Sequence, residues 1–454
     1  RYLKPAVPDT PRKCSMAEPP SIAARGRRLG LRVLAKVGAS PVLAHPAARE
    51  RAQRALGRAA HEGYRAQAAA GRVFAARKGS GAPVRATPTP AQELFDLTPT
   101  QDQAMLRDAA RTLADEVIRP AGARADAERR VPEPVSAAAT QMGLSLVGIP
   151  AQLGGIAEER SAVAGCLVLE ELARGDLGIA VALMSTASVA AAIAAYGNAD
   201  QQQTYLPYFT ADDPVVAALA LQEPQPLFDA MSPRTTGRID GGEVVLTGTK
   251  ALVANAASAE LFIVSALIDG SPRLIIVEPS AAGLSREDDP AMGIRAAATG
   301  RLVLSEVRVP VSALLGTSAD HADAVRRGRL AWSAAAVGTA QAVLDQLIPY
   351  TKERQSFGQP IAHRQAVAFA IANIGIELDA MRLVVWKAAA RLDKGLDAAD
   401  CIAQARALVA SHGAEIGSNA VQLLGGHGFV KEWDNERWYR ELRGAGVLEG
   451  TLLV

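Results

Sequence analysis

The sequence predicts an α+β fold, mainly α. An N-terminal helical domain (91–213), a central antiparallel β domain (214–320) and a C-terminal four-helix bundle (321–454) follow a basic arm and linker (1–90). Three observations predict this. Hydrophobic spacing near 3.6 residues runs to about residue 212, gives way to short β-branched runs, and returns after about residue 321. At 454 residues the chain can bury a large core in two or three domains. Its 49% hydrophobic and 21% charged content is that of a globular protein.

The arm comes first. Residues 1–90 carry 18 Lys+Arg against 4 Asp+Glu, leaving 31 against 43 for the rest, so a basic arm precedes an acidic body. "RAQRALGRAAHEGYRAQAAAGRVFAARK" (51–78) predicts a basic helix, and "GSGAPVRATPTP" a linker. Three readings stay open: a solvated arm, a membrane-surface or partner-binding segment, and an Arg-rich presequence for the mitochondrial matrix. Arginine outnumbers lysine 40 to 9 over the whole chain, so arginine richness is not special to the arm. Three scattered cysteines make no disulfide framework, and a reducing compartment, the cytoplasm, is expected.

"TPTQDQAMLRDAARTLADEVIRP" predicts a helix with a Thr–Pro start and a stop at Pro120. "GCLVLEELARG" and "NADQQQTYLPYF" continue the helical part. From Leu177 to Ala199 there is no charged residue, long enough to cross a bilayer. The stretch is mostly alanine with Ser, Thr and Asn, which predicts a buried core helix.

Five runs then read as strands: "VVAALALQ" (215–222), "EVVLTGTK" (243–250), "ELFIVSALI" (260–268), "RLIIVE" (273–278) and "RLVLSEVRVP" (301–310), with "IDGG" (239–242) as a hairpin turn. "RLAWSAAAVGTAQAVLDQLIPYTKER", "RQAVAFAIANIGIELDAMRLVVWKAAARL" and "DCIAQARALVASHGAEIGSNAVQLLGG" predict three long helices whose short connections suggest an up-and-down bundle.

The six histidines form no HxH or HExxH pair, and no metal site is expected. No nucleic-acid partner is expected. Neither GxGxxG nor GxxxxGK[ST] occurs, so no Rossmann or P-loop nucleotide site is predicted. The chain closes on "AGVLEGTLLV", where Glu449 stands among small and apolar residues. A helix-capping group, a solvated charge and a catalytic base are its open readings.

Five segments in order resemble the acyl-CoA dehydrogenase family over roughly 94–454: "EELARGD" (170–176), "YGNADQQQTYLP" (196–207), "AMGIRAAATGRLVLSEVRVP" (291–310), "ERQSFGQPIAHRQAV" (353–367) and "AVQLLGGHGFVKEWDNERWYRELRGAGVLEGT" (420–451). The resemblance implies a homo-oligomer, dimer or tetramer, with one FAD per subunit. It implies α,β-dehydrogenation of an acyl-CoA in fatty-acid or related oxidation, with electrons passed to an electron-transfer flavoprotein. It also implies a further helix beyond Val454.

The reaction needs a base for the Cα–H of a thioester and a donor for its carbonyl oxygen, while the β-hydrogen leaves as hydride to flavin N5. A carboxylate in an apolar, water-poor cleft suits the base role. By resemblance Glu449 is that base, and its own backbone N–H is a donor to the carbonyl. Some members carry the base on a bundle helix instead, and that place is Gly328 here. Arg329 matches a family arginine near the substrate. Arg354, Ser356 and Phe357 match contacts to a neighbouring subunit's FAD. Gln422, Gly425 and Gly426 match the loop at its adenine end, and Thr451 another FAD contact. Main-chain groups at Leu221 and Gln222 are expected at the isoalloxazine edge.

Two segments depart from the family pattern. "QEPQPLFDAM" (222–231) stands for a signature close to TEPxxGSD, so Leu227 and Phe228 replace a phosphate-contacting Gly–Ser. In "KALVANA" (250–256), Leu252 and Ala254 replace the Trp and Thr that cover the flavin. These changes keep open a non-catalytic acyl-CoA-binding or partner subunit, and a flavin oxidase or monooxygenase of the same fold is a second alternative.

Overall fold

The computed structural model describes residues 96–156 and 158–454, together with Ala55, Arg58 and Glu62, which are helical. The rest of the expected basic helix (51–78), its linker and any membrane-contacting segment lie outside the described residues. Arg1–Pro90 and Ala91–Val454 are separate compact units, and the second carries the fold below.

Helix α1 (Gln101–Leu113) starts at a capping box: Thr100 Oγ1 accepts from Gln103 N–H at 3.3 Å, and Gln103 Oε1 accepts from Thr100 N–H at 3.0 Å. It does not stop at Pro120. The chain widens into a π-helical turn (Ala114–Ile118) and continues as α2 (Arg119–Glu128). Proline lacks an N–H and crowds the preceding turn of an α-helix, but at the first turn of α2 no such hydrogen bond is demanded of it. Helices α3 (Glu133–Gln141), α4 (Ala162–Gly175), α5 (Leu177–Tyr196), α6 (Ala199–Tyr205) and α7 (Pro207–Thr210) complete this part. The uncharged stretch from Leu177 is α5, and most of it is buried in the protein core. Asp176 caps it, accepting from Ile179 N–H at 2.9 Å, and pairs with buried Arg437 at 2.8 Å.

The sheet comprises β1 (Ala217–Ala220), β2 (Thr236–Asp240), β3 (Glu243–Val253), β4 (Leu261–Ile268), β5 (Ser271–Val277), β6 (Leu284–Asp288), β7 (Gly300–Pro310) and β8 (Leu314–Leu315), ordered β6-β7-β3-β2-β4-β5-β8 with β1 beside β4. All five expected runs form strands. The sheet is mixed rather than wholly antiparallel, because β1 and β2 both run parallel to β4. A chain that leaves β1 by a long loop and returns through β2 meets β4 in the same direction, which sequence alternation does not reveal. Gly241 and Gly242 form the β2–β3 hairpin with φ of 60° and 89°, a conformation that side chains resist.

Helices α8 (Ser318–Glu353), α9 (Gln365–Asp393) and α10 (Ala399–Leu424) are the three long helices, with a small hairpin, β9 (Gln355–Ser356) and β10 (Gln359–Pro360), after α8. The bundle's fourth long helix is α4, from the N-terminal part. Gly338 of α8 sits directly on the Glu170 carbonyl of α4, an approach that no side chain would permit. One core lies among α4, α5 and α8–α10, and a second lies under the sheet. Short α11 (Asn435–Leu442) closes the bundle and delivers the final segment to the junction of the two cores.

Candidate active site

Residues 450–454 run along α8, from Trp332 back to Arg327. Trp332 Nε1 donates to Gly450 O at 2.8 Å, and Arg327 Nη1 donates to Val454 O at 3.0 Å. Gly450 has φ 77°, and a Cβ there would lie 2.7 Å from Leu221 Cβ at the end of β1. The segment therefore presses on the sheet at one glycine, and Glu449 is placed by that contact.

Glu449 is only 6% exposed. Its carboxylate is held by two guanidinium groups. Arg329 Nε lies 3.1 Å from both oxygens and Nη2 3.0 Å from Oε1, while Arg406 Nη2 lies 3.0 Å from Oε1. Arg406 also donates to Leu448 O at 3.2 Å and Gly446 O at 3.3 Å, tying the loop to α10. Burial is the largest influence on Arg329 and opposes its charge, but its hydrogen bond to Glu449 and the negative charges of Glu449 and Asp229 together raise the pKa. At Arg406 burial prevails and lowers the pKa, with Glu449 supporting the charge and Arg329 repelling it. The surroundings of Glu449 are thus ion-paired, not the apolar cleft expected. The reason is Arg406, on a helix far from Glu449 in sequence. It is the sole Lys or Arg of α10, the one local signal that could have drawn attention to it.

The Glu449 N–H donates to Gln222 Oε1 at 2.9 Å. Main-chain carbonyls beside it are engaged: Gln222 O accepts from Ala251 N–H at 2.9 Å, and Leu221 O from Lys250 Nζ at 3.3 Å. Lys250 is fully buried and pairs with Glu223 at 2.7 Å. A Cβ at Gly328 would lie 3.0 Å from Leu452 O and 3.9 Å from Gly450 N, so the other family position for a base faces the same loop. Thr451 is buried with φ 73°. Leu221, Gln222, Arg329, Glu449 and Thr451 therefore form one group.

A cavity of about 600 Å³ adjoins it, lined by Arg326 and Arg329 of α8 and by Asp400, Ala403, Arg406, Ala407 and Ala410 of α10. Three guanidinium groups against one carboxylate, Asp400, suit a ligand that carries negative charge.

The remaining expected residues form a second group around Tyr350. Arg354 N–H donates to Tyr350 O at 2.8 Å, and Tyr350 OH donates to Leu424 O at 3.2 Å. Arg354, Ser356 and Phe357 lie on the β9–β10 hairpin, where Phe357 is 94% exposed with φ 53°. Gln422, Gly425 and Gly426 lie at the end of α10, and the space beside both glycines is open. Open backbone and an exposed hairpin fit the edge of a large cofactor reaching in from outside the subunit. The altered signatures are equally plain: Leu227 is fully exposed with φ 56°, Leu252 has φ 51°, and Ala254 is buried.

Family models match three consecutive regions: "Acyl-CoA dehydrogenase, N-terminal domain" over 100–213, "middle domain" over 218–307 and "C-terminal domain" over 321–453. The chain belongs to the acyl-CoA dehydrogenase family.

Within this family of FAD-dependent oxidoreductases, the mitochondrial short-chain specific acyl-CoA dehydrogenase of Bos taurus is 31% identical over 358 residues, covering 76% of this chain and 86% of that one. A probable acyl-CoA dehydrogenase of Mycobacterium tuberculosis is 30% identical over 379 residues, covering 80% and 95%. Among solved structures, a glutaryl-coenzyme A dehydrogenase in complex with glutaryl-CoA is 29% identical, with a TM-score of 0.71 over 78% of this chain and 93% of that one. On the facing sides of α9 and α10, Glu377, His412 and Glu415 bring three potential metal-ligating atoms within 4.8 Å of one another.

Proposed function

We propose that this chain dehydrogenates an acyl-CoA thioester at Cα–Cβ, with Glu449 removing the α-proton. The observation that carries this reading is a single buried carboxylate held at the meeting of β1, α8 and α10, with its own backbone N–H turned to a carbonyl-type acceptor.

The α-proton of a thioester is weakly acidic, so the base must be fixed and the enolate oxygen must meet a donor. Arg329 and Arg406 fix the carboxylate, and the Glu449 N–H is the donor. Proton uptake neutralises Glu449 and leaves the two guanidinium groups without their counter-charge. The phosphates of CoA, lying against the arginines of the adjoining cavity, supply a replacement.

FAD would be held by main chain at Leu221 and Gln222, by Thr451, and by Arg354, Ser356, Phe357, Gln422, Gly425 and Gly426 of a neighbouring subunit. When bound, it supplies the acceptor for the β-hydrogen and its electron pair. An electron-transfer flavoprotein then takes the electrons. The split into two groups supports a homo-oligomer, and an exposed apolar row on α9, Phe369, Ile376 and Leu383, offers it a surface. The body works in the cytoplasm or matrix, with residues 1–90 contacting an anionic membrane surface.

The decisive experiment is the visible spectrum of the purified protein before and after anaerobic addition of acyl-CoAs. Bleaching of a flavin band in the wild type but not in Glu449→Gln supports the reading. A second reading, binding without turnover, is favoured by Leu227, Leu252 and Ala254. A colourless protein that takes up no added FAD would establish it instead.

A further inference from the structure

We infer that Gln222 is a gate on the thioester-carbonyl site: its side-chain oxygen fills the position that a substrate carbonyl oxygen must take at the Glu449 amide. The inference rests on the reading of Glu449 as the base.

Gln222 Oε1 is an amide carbonyl oxygen accepting from the Glu449 N–H at 2.9 Å. A thioester presents the same kind of acceptor. The side chain therefore acts as an internal ligand, and both cannot be bound at once. A buried N–H left unpaired is costly, so a site closed around Glu449 without substrate needs some acceptor there.

The main chain at Gln222 cannot move away. Its carbonyl is held by Ala251 N–H at 2.9 Å, and the preceding Leu221 is packed on Gly450 and held by Lys250 at 3.3 Å. The side chain can move. Gln222 is half-buried, and its Nε2 makes one long contact, 3.4 Å to Glu223 O. Turning it out exchanges one neutral hydrogen bond for the one the substrate makes. The cost falls on substrate binding, not on the chemical step, because ground state and transition state both need the side chain removed.

Gln222→Ser and Gln222→Asn are too short to reach the amide. Each is expected to lower KM for an acyl-CoA by roughly 2- to 10-fold. In a Glu449→Gln background, where the N–H remains and turnover is removed, the same substitutions should tighten acyl-CoA Kd by the same factor, with flavin absorbance as the control for cofactor content. An unchanged or raised KM and Kd would overturn the gate. Should Glu449→Gln keep its turnover, the base assignment fails, while the Kd comparison, which uses only the backbone N–H, still decides on Gln222. Amide hydrogen exchange in ligand-free protein gives an activity-independent readout: the Glu449 N–H should exchange faster in Gln222→Asn than in the wild type, and equal rates would reject the gate.

Discussion

Arg406 Nη2 lies 3.0 Å from Glu449 Oε1, joining the middle of α10 to the segment that carries the proposed base. Together with Arg329, it decides where the carboxylate points. It also holds the carbonyls of Gly446 and Leu448, so one side chain sets both the loop and the charge on it. Arg406→Met should therefore lower kcat/KM by about 10-fold or more and destabilise the fold by about 1–3 kcal/mol. Arg406→Lys should recover the charge but not the fork, restoring stability more than turnover. Steady-state kinetics and thermal melts on both variants check this.

Glu449→Gln should lower kcat by roughly 10²–10⁴-fold while substrate still binds. The variant also leaves two half-buried guanidinium groups facing an uncharged partner, so its melting temperature should fall slightly. A melt that collapses with no chemical step affected would mean the carboxylate is structural.

Gly450→Ala tests the placement of the loop. A Cβ would meet Leu221 Cβ at 2.7 Å, and φ is 77°, so the segment must shift. Turnover should drop by about 10²-fold, the order expected for a misplacement near 1 Å. Overall stability should change far less, since the rest of the core is untouched.

Acid stability should be lost in two windows. Burial of His321, whose Nε2 meets Ser265 Oγ at 2.9 Å, lowers its pKa to about 4. The unfolded chain then binds more protons between about 6.5 and 4, so stability is full above pH 6.5 and declines by up to about 3 kcal/mol as pH falls to 4. Burial would raise the pKa of Glu223, but Lys250, the Thr235 N–H and the Gln225 side chain outweigh it and hold the carboxyl at about 2. Its contribution is present above about pH 4.5 and is lost as pH falls through 2. Chemical denaturation from pH 8 to 3 should show the first window, and His321→Asn should remove it.

The row Phe369, Ile376 and Leu383 recurs every seven residues on α9 and is exposed in the single chain. Ile376→Glu should yield a smaller species by light scattering. If the cofactor is shared between subunits as proposed, the same variant should lose flavin.

Much of the fold was legible in the sequence, because periodicity is local. The helix start after Thr98–Pro99, the Gly241–Gly242 hairpin, the buried α5 and the long helices each announce themselves within a few residues. Pro120 misled because a π-turn absorbed it, and the parallel pairings to β4 were hidden because direction is a property of the whole chain path.

The sequence by itself determined the family, the layered architecture and the position of Glu449, since each rests on residue types at fixed spacing. The tertiary structure alone decided what surrounds that carboxylate. Arg406 and Gln222 reach Glu449 from a helix and a strand end, and neither lies near it along the chain. Ion pairs and hydrogen bonds act over about 3 Å of space regardless of chain separation, so only the folded packing of α8, α10 and β1 could bring them together.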